Sequence, residues 1–176
     1  VQGPDAVSAD FGPYEYQRIL ETFRDRGFVV VAEVREDGAG REFAVATARQ
    51  VRRLLDAGVP ARRITVVGFS KGGFLALGVS AIVGSEEVGY AILAGCGSDP
   101  GWIDRMAPRI RGRFLSLLDR SDRLSPSCQP LFAEAELVDE KNEHVFDTGL
   151  GHGLFYRPRE DWVDRVAGWA RADGSQ

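Results

Sequence analysis

Apolar runs of strand type and helical segments alternate along this chain of 176 residues, and the alternation predicts an α/β domain with a mostly parallel sheet flanked by helices. Three observations carry that prediction. Short apolar or β-branched runs recur at 28–34, 64–67, 88–94, 113–118 and 144–146. Segments with apolar residues three and four positions apart lie between them, and glycine or proline stands at several of the junctions. A hydrophobic share of 44% against 27% charged is enough to fill one core, so one domain is expected over residues 1–176. The same composition excludes a disordered chain, and no 18-residue apolar span for a bilayer is present. No signal peptide is read at the start. A net charge of -4 leaves no basic excess, so nucleic acid and anionic membranes are not expected partners.

The elements follow in order. Residues 1–12, with two glycines and a proline, read as an irregular loop. Pro13 is placed at a helix start, Tyr14, Tyr16, Ile19, Leu20 and Phe23 supply one apolar face, and Gly27 ends it. The run 28–34 is largely apolar and rich in valine, as a strand buried in a parallel sheet should be. A helix over 42–57 stops at Gly58 with Pro60 beyond it, and strand 64–67 follows. Helix 74–83 is almost wholly apolar and therefore buried on most sides. Strands 88–94, 113–118 and 144–146 alternate with helices near 102–106, 130–137 and 159–171, and residues 172–176 should fray. Trp102, Trp162 and Trp169 are spaced for helix faces, in the core or at an interface.

Chemistry concentrates where strand 64–67 runs into Gly68-Phe69-Ser70-Lys71-Gly72 and then a helix. A serine in G-x-S-x-G at a strand-to-helix turn sits on strained backbone that projects its hydroxyl, with Gly68 and Gly72 making room for neighbouring chain. The helix that follows aims the amide of Lys71 at a developing anion. The Lys71 side chain leaves on the helix side and is not taken as an activating amine. A hydroxyl needs a base to become a nucleophile at neutral pH, and the chain has two histidines. His144 lies in the strand 144–146. His152 lies in Gly149-Leu150-Gly151-His152-Gly153, a loop able to reach across to Ser70, and is preferred. For the acid that orients the imidazole, the stretch 117–123 offers Asp119 and Asp122. Asp122, further into the loop, is preferred; Asp119, at the strand end, could instead satisfy loop amides.

In the order ITVVGFSKGG, LLDRSD and GLGHG, these segments resemble the α/β-hydrolase family, and the serine turn is similar to that of small carboxylesterases and dienelactone-hydrolase-like enzymes. The resemblance runs from about Pro13 to the end. It implies a three-layer α/β-hydrolase fold, and no stretch between strands is long enough for a cap domain. It also implies a serine hydrolase in which Ser70 attacks an acyl carbon, His152 carries the proton, Asp122 fixes the imidazole tautomer and the Lys71 amide is one oxyanion donor. An ester-type small molecule is the expected substrate, with no metal or organic cofactor. A thioesterase or peptidase using the same residues, and a non-catalytic binding domain, are the other readings.

The family's second oxyanion donor comes from a loop after an earlier strand, which this chain lacks before residue 13. In the family that strand lies between the equivalents of 28–34 and 64–67. Leaving it out would strand backbone groups on both neighbours, so further residues are expected upstream of Val1, with 1–12 lining the site and a donor near Gly3. Direct hydrogen bonds between 28–34 and 64–67 would contradict this. Cys96 and Cys128 follow strands expected to be adjacent and are read either as a disulfide, which would favour a secreted or periplasmic home, or as two buried thiols. Phe11, Tyr14, Phe69 and Phe155, in or beside loops around Ser70, are candidates for an apolar substrate pocket.

Overall fold

The computed structural model describes residues 6–35 and 38–172. Gly3 and residues 173–176 lie outside the described residues. Four parallel strands form the sheet in the order β3 (Thr65–Phe69), β4 (Gly89–Leu93), β5 (Arg113–Asp119) and β6 (Lys141–Phe146). β1 (Val7–Ser8) and β2 (Gly12–Pro13) form a separate antiparallel pair. The helices are α1 (Tyr16–Asp25), α2 (Arg41–Asp56), α3 (Lys71–Val83), α4 (Pro100–Met106), α5 (Gln129–Glu134) and α6 (Glu160–Ala172).

Period two in the central strands separates two cores. Tyr90, Ile92 and Phe114 turn to one face, where they pack with Ala44, Ala48 and Val51 of α2, Leu75, Leu77 and Val79 of α3, and Leu131 and Phe132 of α5. Ala91, Leu93, Leu115 and Leu117 turn to the other, against Ile19 of α1 and Trp162, Val163 and Val166 of α6. Helices on both faces explain why β4 and β5 are buried along their whole length and read as unbroken apolar runs. β6 is an edge strand in which only Phe146 is buried, which is why its polar first half, Lys141–Glu143, was not expected to be strand.

Two expectations are corrected near the start of the chain. Residues 6–13 are ordered: the Ser8 hydroxyl accepts from the amides of Asp10 (3.2 Å) and Phe11 (3.3 Å) and turns the chain, and Tyr14 N donates to Ala6 O (2.8 Å). Pro13, which has no amide to give a helix or a ladder, therefore ends the hairpin, and α1 begins three residues later at Tyr16. The run 28–34 joins no sheet. Its residues favour a strand, but a strand needs a partner, and no described residue pairs with it. Val29 is 96% exposed and Val31 62% exposed. No ladder joins this run to β3.

Among the described residues no helix is long and apolar enough to cross a membrane.

Candidate active site

β3 ends against α3 at a single residue, Ser70, whose backbone adopts φ 53° and ψ -120°. A positive φ on a residue with a Cβ costs roughly 1–3 kcal/mol and persists only where the surroundings enforce it. They do so here. Ser70 N donates to Leu93 O of β4 at 2.8 Å, and Ser70 O accepts from Phe74 N in the first turn of α3 at 3.1 Å. The turn is also sterically closed by glycines. A Cβ on Gly68 would fall 2.2 Å from Gly72 O, and one on Gly95 would fall 2.6 Å from Gly73 Cα. The crowded glycines are thus Gly68, Gly73 and Gly95. Gly72, expected from the motif to be making room, has open space where its Cβ would be.

Lys71 is the first residue of α3, so its amide is one of the donors that a helix start leaves unpaired, and its side chain is exposed. The amide and the helix dipole together place positive potential beside the Ser70 hydroxyl.

The two candidate acids of the β5 loop have different partners. Asp122 Oδ2 lies 2.8 Å from His152 Nδ1, and the Asp122 side chain is fully buried. Its second oxygen accepts from the amides of Leu124 (2.8 Å) and Ser125 (3.2 Å). Asp119, also buried, makes no contact with the imidazole. Its Oδ1 accepts from the Ser121 amide and hydroxyl and from Gly151 N at 3.2 Å; its Oδ2 accepts from the Thr148 amide (2.9 Å) and hydroxyl (2.6 Å). Burial alone would raise the Asp119 carboxyl, but these bonds outweigh it and hold the group well below the ordinary carboxylate range. Asp119 therefore joins the loop bearing Asp122 to the loop bearing His152.

Ser70 and His152 both border two clefts, of about 290 and 260 Å³. Among the described residues the Ser70 hydroxyl makes no hydrogen bond. His152 packs on Phe69 with ring centroids 4.8 Å apart, and Phe11 stands 6.2 Å away on another side. His144 borders neither cleft; it sits edge-on to Phe146 in β6, where burial first and Arg165 second lower its pKa.

Of the residues expected to form an apolar pocket, Tyr14 and Phe69 border the larger cleft. Phe11 packs behind the imidazole and over Gly153. Phe155 is corrected: it is buried in the second core between Phe69 and Trp162, because the 3₁₀ turn Gly151–Tyr156 points it inward. Tyr16 and Tyr156 also border the larger cleft. Burial, then the neighbouring Tyr16 and Tyr156, push the Tyr14 hydroxyl up to about 12, so it stays a neutral hydrogen-bond donor at neutral pH. The second cleft is bordered by Phe74, Ala94, Cys96, Leu124 and Ser125.

Cys96 and Cys128 form a disulfide with their Cα atoms 5.3 Å apart, tying the loop after β4 to the start of α5. Glu143 of β6 fastens the same region, accepting from Ser116 Oγ (2.9 Å), Ser127 Oγ (2.5 Å) and Cys128 N (2.7 Å). Among the described residues no cluster of three or more His, Cys, Asp or Glu side chains could hold a metal ion.

This architecture recurs in solved structures. A variant of SOBER1 from Arabidopsis thaliana superposes with a TM-score of 0.61 at 18% identity, covering 80% of this chain and 67% of that one. A monoacylglycerol lipase from Paleococcus ferrophilus gives 0.66 at 13% identity, covering 90% and 89%. An esterase from Pyrococcus furiosus gives 0.67 at 16% identity, covering 92% and 76%. In the two SOBER1 structures the chain spans 67% and 64% of the relative's length. No protein-family model and no curated protein matches the sequence. At such identities the likeness establishes the fold: the chain has the α/β-hydrolase fold, and no cap domain stands among the described residues.

Proposed function

We propose that this protein is a serine hydrolase that opens an ester-type bond through an acyl-enzyme. The observation that carries the reading is the buried Asp122–His152 pair, at 2.8 Å, beside a serine on strained backbone at a helix N-terminus. Esterase and lipase among the structural neighbours support hydrolysis as the reaction class.

The steps follow from the chemistry of these groups. Asp122 accepts a hydrogen bond from the Nδ1–H of His152, which holds the tautomer whose Nε2 carries a lone pair. Nε2 takes the Ser70 hydroxyl proton as Oγ bonds to the acyl carbon, and the carbonyl oxygen becomes an anion that the Lys71 amide stabilises. The adduct collapses with expulsion of the alcohol, which receives the proton from His152. Water, deprotonated by the same nitrogen, then attacks the acyl carbon; the bond to Ser70 Oγ breaks, His152 returns the proton to Oγ, and the acid leaves. No step calls for a metal or a cofactor. Two open clefts meeting at Ser70, with Tyr14, Tyr16, Phe69 and Tyr156 on one side and Phe74 and Leu124 on the other, suit a small ester with apolar groups on both sides of the bond. The disulfide suits an oxidising compartment, in keeping with a secreted or periplasmic protein.

Turnover of p-nitrophenyl acetate tests the assignment. Ser70→Ala and His152→Ala should each lower kcat by about 10⁴-fold or more, while His144→Ala keeps most of it. A dead His144 variant beside an active His152 variant would reverse the base assignment.

A further inference from the structure

The second cleft, of about 260 Å³, opens beside Ser70 and His152 and is walled mostly by apolar groups, Phe74, Ala94 and Leu124 among them. Of the described residues that border it, other than Ser70, His152 and the exposed Lys71, only Ser125 has a polar side chain. Ser125 is 8% exposed, yet its hydroxyl makes one bond among the described residues, to the Pro126 carbonyl at 3.5 Å. A hydroxyl donor usually lies about 2.7–2.8 Å from its acceptor, so this one is barely engaged. Gly95 and Cys96, which border the same cleft, are buried as well, and their amides make no hydrogen bond among the described residues. Buried donors without partners are costly, and a polar atom of a bound molecule would relieve them. The frame around them is fixed. Asp122 Oδ1 holds the amides of Leu124 and Ser125, and the disulfide fastens Cys96 to Cys128, three residues beyond Ser125.

We propose that this cleft binds the alcohol half of an ester whose alcohol carries a further hydroxyl, and that Ser125 is the residue that selects it. The inference rests on the serine-hydrolase reading and names its substrate class. A hydroxyl matches both sets of partners, since it can donate to or accept from Ser125 Oγ while accepting from an amide. An ammonium offers the amides no acceptor. A carboxylate would lose water beside Phe74 and Leu124, where the one permanent cation bordering the cleft, Lys71, is itself exposed to solvent. The alcohol half is assigned by a chain of contacts: Ser125 N donates to Asp122, Asp122 Oδ2 holds His152, and the imidazole hands its proton to the departing alcohol. Ser125 thus stands on the side from which the alcohol leaves, and the carbon skeleton of that alcohol rests on Phe74 and Leu124.

The test is competition, in one reaction with the full chain, between the 2-hydroxyethyl and n-propyl esters of butyric acid, which are alike in size and differ by hydroxyl for methyl. Wild type should favour the hydroxyethyl ester by about 10-fold or more in kcat/KM. Ser125→Ala should lower that ratio by about 10-fold, and Ser125→Thr, which keeps a hydroxyl, should keep most of it. Both esters are read in one sample, so a change in stability or in the active fraction does not move the ratio. A ratio near one in wild type, or an unchanged ratio in Ser125→Ala, would overturn the proposal. So would a stronger preference for the carboxymethyl ester, which marks an anion site, or a Ser125-dependent preference seen only with the hydroxyl in the acyl half. Turnover of p-nitrophenyl acetate without the predicted ratio sinks this inference alone, whereas a wild type that turns over none of these esters sinks the hydrolase reading with it.

Discussion

Asp119 accepts a hydrogen bond from the amide of Gly151, the residue directly before His152, at 3.2 Å. Two carboxylates three residues apart thus act on one loop. Asp122 takes the imidazole itself, and Asp119 takes the backbone that carries it. Their substitutions should separate. Asp122→Asn should leave the fold intact and lower kcat by about 10⁴-fold through loss of the working tautomer. Asp119→Asn should cost roughly 2–3 kcal/mol of stability, seen as a lower midpoint in urea, because several donors lose a charged acceptor.

The same carboxylate sets an acid limit. Its pKa in the folded protein lies below the value of about 3.9 for a free aspartate. The stability it contributes is therefore fully present above about pH 4 and is lost as pH falls toward the folded value. Urea midpoints of wild type and Asp119→Asn should differ at pH 7 and converge as the pH drops below about 4. A constant difference down to pH 2 would contradict the sign.

The glycines of the serine turn should divide by packing rather than by motif position. Gly68→Ala places a methyl 2.2 Å from backbone oxygen and should abolish folding or cost more than about 4 kcal/mol. Gly72→Ala meets nothing within 4 Å on a helical residue and should be neutral or stabilising by up to about 1 kcal/mol. Thermal melts of the two variants decide it.

The Cys96–Cys128 bridge closes a loop of 32 residues, worth roughly 3–4 kcal/mol in the chain-entropy account. Cys96→Ala combined with Cys128→Ala should lower the urea midpoint by a corresponding amount. An unchanged midpoint would mean that Glu143 and its three donors hold the region alone.

The sequence exposed the strand–Ser70–helix turn because a strained serine there demands glycine neighbours and an apolar strand before it, and such residues stand out locally. That His152 rather than His144 would border the clefts at Ser70 was legible for a similar reason: glycines flank the first and a strand contains the second. What was hidden depended on partners distant in the chain. The run 28–34 reads as a strand by composition, yet strand formation is decided by who lies alongside it. Phe155 and Tyr156 could not be told apart, because the 3₁₀ turn that sends one inward and the other outward has no periodic signature. Pro13 fits a helix start as well as a hairpin end, and the Ser8 hydroxyl bonds that decide between them are a local signal that was passed over.

The central claim is that Ser70 is an activated nucleophile. Intact-mass measurement after treatment with a fluorophosphonate tests it most directly: wild type should gain one adduct, located on the peptide containing Ser70, and Ser70→Ala should gain none. A folded wild type that stays unmodified, or an adduct on any other residue, would contradict the account.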